Sequence, residues 1–335
     1  MNTRLYSKFY KYVGQSFVKA ILLLLAVSIL SFTLVSLSPV DPIRSYVGEV
    51  GMANLNETNL AKLEAHFGLD TPPVERYWNW LTDFIQGDMG TSLIYRQPVA
   101  DVISVKFMNS FLLMITAWTC SGIIGFILGT IAGLYRGRWI DKLIKGYSLL
   151  LASTPTFWLA LIFLMVFSVE LKIFPIGLSV PIGVAAAEVT VLDSLRHLIL
   201  PALTLSAVGV ANIALHTREK MIDVMEEDYV LFARARGESQ LSIVKQHALR
   251  NIALPAMTLQ FASLSEIFGG SILVEQVFSY PGLGQAAVSA GLDGDIPLLL
   301  GIAVISAALV FTGNLIANIL YGVIDPRIRR GSVHG

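Results

Sequence analysis

Long apolar runs alternate with short charged stretches through most of the sequence. At about 20 residues per ~30 Å of hydrocarbon, six runs are long enough to cross a bilayer as helices. They lie near residues 17–37, 111–135, 144–169, 198–216, 252–273 and 296–323. The fourth and fifth carry polar positions. The first begins basic and turns apolar, as a signal peptide does. Its run is long, no Ala-x-Ala pattern follows, and Pro39 and Pro42 crowd its exit, so it is read as a retained span.

Only the stretch of roughly 38–106 has soluble character. Asn56 is placed to cap a short helix whose Leu60, Leu63 and Phe67 share one face, and Gly68 to end it. Pro72 and Pro73 open a second helix, where Val74, Tyr77, Trp78, Leu81 and Ile85 form an amphipathic stripe. Its tryptophans and tyrosine suit a helix at the headgroup level. A cap packed on the other spans is preferred over a direct solute contact.

Composition agrees with a bilayer protein. Hydrophobic residues make up 54% and charged residues 14%, against roughly 25% charged in soluble domains, and mean hydropathy is +0.66. Formal net charge is zero, so no global field favours nucleic acid. The single cysteine, Cys120, excludes an intrachain disulfide framework. Basic residues divide seventeen to seven between alternate sides of the six runs. The positive-inside rule then puts both termini in the cytoplasm and the 38–106 stretch outside.

Between the fourth and fifth runs lies a basic, glycine-broken segment, 228–255. Helix-favouring residues from Glu226 to Arg236 start acidic and end basic, matching the helix dipole. Gly237 is the natural reversal point, since glycine adopts positive φ without a Cβ penalty. A second short helix, about 241–251, is expected to lead back to Pro255 and the membrane. The corner would present Arg234, Arg236, Gly237 and Glu238, with Phe232, Ala233 and Leu241 able to enter a partner's groove. The competing reading is a solvated basic loop.

Ionisable and amide groups within spans tend to face a bundle interior or a watery path. On a continuous fifth helix Gln260, Ser263, Glu266 and Gly270 share one face. Lining a translocation path and bonding to a neighbouring helix are both open for this face. Asn314 and Asn318, four apart on the last run, favour interhelical packing, and Gly301, Gly313 and Gly322 close packing. Asp293 and Asp295 lie in the outer turn region, where solvation and contact with an outside protein compete. No Gly-x-x-x-x-Gly-Lys-Ser/Thr phosphate loop is present, so ATP hydrolysis is not expected of this chain. The five histidines are scattered without metal-ligand spacing, and no metal site is expected.

Several strings together resemble ATP-binding-cassette importer permeases of the dipeptide/oligopeptide/nickel family. They are Gly87-Asp-Met-Gly-Thr-Ser-Leu, Gly133-Leu-Tyr-Arg-Gly-Arg-Trp-Ile-Asp, Ser153-Thr-Pro-Thr-Phe-Trp-Leu-Ala and His197-Leu-Ile-Leu-Pro-Ala-Leu-Thr-Leu. Val274-Glu-Gln-Val-Phe-Ser-Tyr-Pro-Gly-Leu-Gly and the ending Asn314…Ile324-Asp-Pro-Arg-Ile-Arg complete the set. The 228–255 segment resembles that family's EAA loop. Met89 departs from an aromatic position. Leu231-Phe232-Ala233 stands where the general motif has Glu-Ala-Ala, and Leu254-Pro255 is displaced, as in the peptide/nickel branch.

The resemblance implies an all-α polytopic membrane helix bundle of six transmembrane helices with both termini cytoplasmic, in the cell (inner) membrane. It has a helical outer cap after helix 1 and a cytoplasmic coupling-helix loop between helices 4 and 5. The boundaries are 1–38 for the N-terminal segment and first helix, 39–107 for the cap, 108–327 for the permease core and 328–335 for the tail. Implied partners are a second, homologous permease in a heterodimer, two ABC ATPase subunits, an extracytoplasmic solute-binding protein and the lipid bilayer, with no nucleic acid. This chain itself holds no cofactor; ATP and Mg belong to the ATPases. Solutes would be peptides or related small molecules, nickel or a metallophore included. Tyr229, Phe232, Ala233, Arg234, Ala235, Arg236, Gly237, Glu238, His247, Arg250 and Asn251 would form the ATPase-coupling loop. Gln260, Ser263, Glu266 and Gly270 are the candidate path, and Glu275, Phe278, Pro281, Gly282 and Asp295 the outer binding-protein or gate contacts. The alternative class is an ion-coupled secondary transporter or channel without an ATPase, although no inverted repeat is evident. A membrane-embedded enzyme lacks a catalytic cluster.

Overall fold

The computed structural model describes residues 3–38, 42–66, 70–184 and 188–324. Among these, every regular element is helical. In order they are α1 (Thr3–Ser36), α2 (Pro42–Ala53), α3 (Glu57–His66), α4 (Pro73–Gln86), α5 (Val99–Leu134), α6 (Trp139–Ser153) and α7 (Thr156–Phe163). After α8 (Val191–Met225) come α9 (Asp228–Ala235), α10 (Gln240–Ile243), α11 (Leu249–Ala262), α12 (Leu264–Val277), α13 (Leu283–Asp293) and α14 (Ile296–Ile324). Four helices are long and apolar enough to span, within α1, α5, α8 and α14. There are up to six spans if the bent pairs Trp139–Ser153 with Thr156–Glu170 and Gln240–Ala262 with Leu264–Val277 each count as one.

The bends revise two of the expected straight spans. The third run turns by 111° at Thr154-Pro155. Thr154 is extended (φ −96°, ψ 126°), because the proline ring disfavours helical backbone in the preceding residue. The fifth run turns by 50° at Ser263. Pro255, expected where the loop re-enters the membrane, instead lies inside α11. A π-helical turn, Val244–Ala248, joins α10 directly to α11.

Two compact units are present. One combines Gly14–Ser110 with Pro281–Thr312. In it Asn56 caps α3 as expected, its Oδ1 accepting from Asn59 N at 2.9 Å; Phe67 and Gly68 lie outside the described residues. Pro73 starts α4, and Gly87 (φ +94°) ends it. Tyr77 and Trp80 of α4 pack on Phe32 of α1 with ring centroids 5.3 and 5.9 Å away. The Tyr77 hydroxyl is 2.9 Å from Ser28 Oγ. The expected stripe therefore divides: Tyr77 turns inward, while Val74, Trp78 and Ile85 stay exposed. The start of α5 packs with α13 and α14 through Val99, Ile103, Leu283, Ala286, Leu298 and Ile302. A Cβ on Gly301 would stand 2.8 Å from Val99 Cγ1, so this glycine is a close-packing position.

The other unit is built on Phe111–Tyr280, with the last helix from Gly313. Its centre is α8, which packs against α6, α7, α11 and α12. Along α5, Gly125, Gly129 and Gly133 recur every four residues. Cβ atoms there would come within 2.5–2.9 Å of Val210, Ile213, Ala214, Thr217, Arg218 and Met221 of α8. These glycines let the two helices approach closely, the usual device where no hydrophobic driving force separates lipid from protein. Among the described residues nothing lies within 4 Å of a Cβ built on Gly313, so none of them packs closely on it as expected.

Candidate coupling loop and translocation path

The loop after α8 is a helix pair turned at a glycine. α9 ends at Ala235 with Arg236 as its C-cap, and Gly237 has φ +81° with no described atom within 4 Å of a would-be Cβ. The glycine is needed for its backbone conformation, not for space. Ser239 then caps α10, its hydroxyl accepting from Ser242 N at 3.3 Å.

The inner side of this corner is a small core of its own. Val230 and Ala233 of α9 pack with Met221, Met225, Ile243, Ala248 and Ile252. Ala233 is thus committed to the protein interior, which corrects its expected place in a partner's groove. Phe232 and Leu241 are each 65% exposed, and Tyr229, Arg234, Ala235, Arg236, Arg250 and Asn251 are exposed beside them. Arg236 caps the Phe232 ring, its guanidinium carbon 5.5 Å from the centroid.

Polar contacts tie the two arms together. Glu238 pairs with Arg236, and its other oxygen is 3.2 Å from His247 Nε2. The Arg236 hydrogen bond, followed by His247, holds the Glu238 carboxyl below the usual glutamate range. Asn251 Nδ2 donates to the Tyr229 hydroxyl at 2.8 Å and to the His247 carbonyl at 3.0 Å. His247 thus acts as a strut across the turn.

A buried ion pair escaped the sequence reading. Arg218 of α8 donates Nε–H to Asp141 Oδ1 at 2.5 Å and Nη2–H to Oδ2 at 2.9 Å. Asp141 also accepts from Gly137 N at 2.7 Å. Both side chains are nearly inaccessible. This fork joins the start of α6 to α8, and a bidentate arginine–carboxylate fixes orientation as well as distance. The available signal was Arg218 within the extended α8 and Asp141 within the Gly133–Asp141 string.

The candidate path residues do not share a face, because the break at Ser263 separates them. Gln260 is 8% exposed and bonds to α5. Its Nε2 donates to the Trp118 carbonyl and to Ser121 Oγ, and the Gln260 carbonyl accepts from Trp118 Nε1 at 2.8 Å. Ser263 Oγ donates to the Gln260 carbonyl at 2.8 Å. Glu266 lies beyond the bend and is exposed. A Cβ on Gly270 would lie 3.0 Å from Leu205 Cδ1. On the last helix Asn314 Oδ1 accepts from Ser265 Oγ at 2.8 Å, an interhelical bond; the Asn318 side chain and Gly322 fall outside what is described.

The expected outer contacts are mostly interior. Glu275, Phe278 and Gly282 are buried and Pro281 is half-buried. Asp295 is 0% exposed. Its carboxylate accepts from Ser92 Oγ at 2.5 Å and Ile94 N at 3.1 Å, and its second oxygen from Leu298 N at 3.2 Å. It caps α14 and clamps the 92–94 turn, which corrects its expected contact with an outside protein; Asp293 is the exposed one of the two. Among the described residues, no three His, Cys, Asp or Glu side chains are grouped to hold a metal.

Residues 125–330 match the family described as "Binding-protein-dependent transport system inner membrane component". Residues 9–111 match the N-terminal region of the same kind of membrane component. The chain is 34% identical over 318 residues to the oligopeptide transport system permease protein AppB of Bacillus subtilis (strain 168), covering 95% of this chain and 98% of that one. It is 36% identical over 306 residues to the glutathione transport system permease protein GsiC of Escherichia coli (strain K12), covering 91% and 94%. With an all-helical build carrying four to six candidate spans and matches running from one end of the fold to the other, the chain belongs to the family of binding-protein-dependent transport system inner membrane components.

Proposed function

We propose that this permease carries peptides or peptide-like solutes across the inner membrane as one half of a two-permease path, driven by cytoplasmic ATPases that dock on the 228–255 corner. The relatives named for oligopeptide and glutathione transport support the solute class. The observation that carries the coupling reading is the corner itself: exposed Phe232 and Leu241, flanked by arginines, on a scaffold braced from within by Val230, Ala233 and Ile243. Apolar anchors on a rigid helical knob suit a partner's groove, and a braced knob passes on a rigid-body displacement instead of absorbing it. The Asp141–Arg218 fork then links the helix leading into the knob to α6.

In this reading α6–α7 and α10–α12 are broken spans, giving six crossings with both termini in the cytoplasm. Residues 39–107 form an outer cap, 108–327 the permease core and 328–335 a cytoplasmic tail. A solute-binding protein delivers the solute from outside, and ATP with Mg is bound by the ATPase subunits alone. Glu266, exposed beyond the bend, is the remaining path candidate from the fifth run.

The test is co-purification. Phe232→Asp or Leu241→Asp should leave the permease inserted while ATPase recovery falls with uptake. Normal recovery of the ATPases with both variants would overturn the docking assignment.

A further inference from the structure

The two sides of α6 differ in what they leave to meet. On one side Ile144, Ser148 and Leu151 are buried, and Asp141 is spent on Arg218. On the other, Trp139, Leu143, Tyr147 and Leu150 recur at helical spacing and are all exposed. Beside this stripe, in the first turns of the helix, Arg138, Lys142 and Lys145 are exposed as well. Asp141 is the only acidic residue between Arg136 and Val169, so the exposed face carries cations and no carboxylate. Arg136 is drawn off to Glu226, and the Arg138 guanidinium lies 5.5 Å from the centre of the Tyr135 ring. Among the described residues neither Lys142 nor Lys145 is in an ion pair. Gly146 comes one turn after Lys142 and one turn before Leu150. No described atom lies within 4 Å of a Cβ built there, which leaves a furrow along the face.

The order along this face is that of a phospholipid, charge first and hydrocarbon after. Cations fill the first two turns, and Leu149 and Leu150 follow, both exposed. Trp139 to Leu150 covers about 16 Å at the helical rise, close to half of the ~30 Å hydrocarbon core. Indole and phenol rings suit the boundary between headgroups and chains. Clustered lysines and arginines beside a span attract anionic headgroups, and no carboxylate on the face would hold the ammonium of a zwitterionic one. We propose that this face of α6 seats an anionic phospholipid of the cytoplasmic leaflet, its phosphate at Lys142 and Lys145 and an acyl chain in the furrow over Gly146. The inference rests on the cytoplasmic placement of residues 135–145. α1 and α5 set that placement by themselves, whether or not the α6–α7 pair crosses.

The complete transporter is purified in a mild detergent and equilibrated with equal amounts of phosphatidylglycerol and phosphatidylcholine, and bound lipid is counted by native mass spectrometry. Each basic residue near an anionic headgroup contributes about five-fold in binding. Lys142→Gln/Lys145→Gln should therefore lower the ratio of bound phosphatidylglycerol to phosphatidylcholine by about ten-fold or more, and Lys142→Arg/Lys145→Arg should keep it. Lys220→Gln/Lys245→Gln removes two exposed charges elsewhere and should change the ratio less than about two-fold. Equal losses in the two glutamine pairs would reduce the effect to diffuse charge and overturn the site, as would a wild type without preference for phosphatidylglycerol. Loss of ATPase or second-permease subunits from Lys142→Gln/Lys145→Gln, with the lipid ratio unchanged, would assign the face to a protein partner. Purified protein meets lipid at both ends, so this count does not depend on the cytoplasmic placement. That placement has its own readout: in a Cys120→Ser background, labelling of Lys142→Cys from outside intact cells by an impermeant thiol reagent would overturn the leaflet alone.

Discussion

Gly237 shows how one backbone angle sets the shape of the corner between α9 and α10. Its φ of +81° lies where an L side chain pays about 1–2 kcal/mol, yet a Cβ would meet nothing within 4 Å. The cost of substitution is therefore local and conformational. Gly237→Val should weaken the native turn by about five- to thirty-fold in population, lowering uptake while the protein still inserts. Gly237→Asn, a side chain that tolerates this region, should recover most of the uptake. Full uptake and normal complex yield for the valine variant would remove the turn from the coupling argument. The same residue was legible from sequence, because a glycine between an acidic-to-basic helix and a second helical stretch has few other uses. Asp295 and Ala233 were not: both sit in segments with the right character for a surface, and only the fold shows one capping α14 and the other under the knob.

The helices were legible in number and place wherever an apolar run was uninterrupted, as in α1, α5 and α14. They were not legible where a run continues through a bend. Thr154-Pro155 and Ser263 sit inside stretches that read as single spans by hydropathy, since hydropathy sums composition and is blind to backbone direction. The face shared by Gln260 and Glu266 was lost with the second bend. The glycine ladder of α5 was present in the sequence as Gly125, Gly129 and Gly133, and its meaning depends on which helix lies opposite. At Gly129 a Cβ would fall 2.5 Å from the Ala214 carbonyl oxygen and 2.6 Å from Thr217 Cβ. Backbone on α8 cannot yield as a side-chain tip can, so Gly129→Ala should force α5 and α8 apart and lower the thermal stability and yield of the solubilised protein. Gly146 on α6 has open space around it. There an alanine should be neutral, or stabilising by up to ~1 kcal/mol through helix propensity alone. Equal melting behaviour for the two variants would show that the ladder does not set the α5–α8 distance.

The orientation of the chain turns on the 111° bend between α6 and α7. If that pair crosses the bilayer, the 171–184 stretch lies outside and the Gly237 corner returns to the cytoplasm, where seventeen of the twenty-four basic residues collect. If it re-enters on the side it left, both assignments reverse and the corner faces away from any ATPase. The excess of Lys and Arg favours the crossing, because positive charge resists translocation. In a Cys120→Ser background, cysteines are introduced singly at Asn59, Ile182 and Ser239, all exposed positions. An impermeant thiol reagent applied to intact cells should label Asn59→Cys and Ile182→Cys, and should reach Ser239→Cys only after permeabilisation. Labelling of Ser239→Cys from outside, with Ile182→Cys protected, would mean a re-entrant α6–α7. It would remove the cytoplasmic docking of the 228–255 corner while leaving family membership untouched.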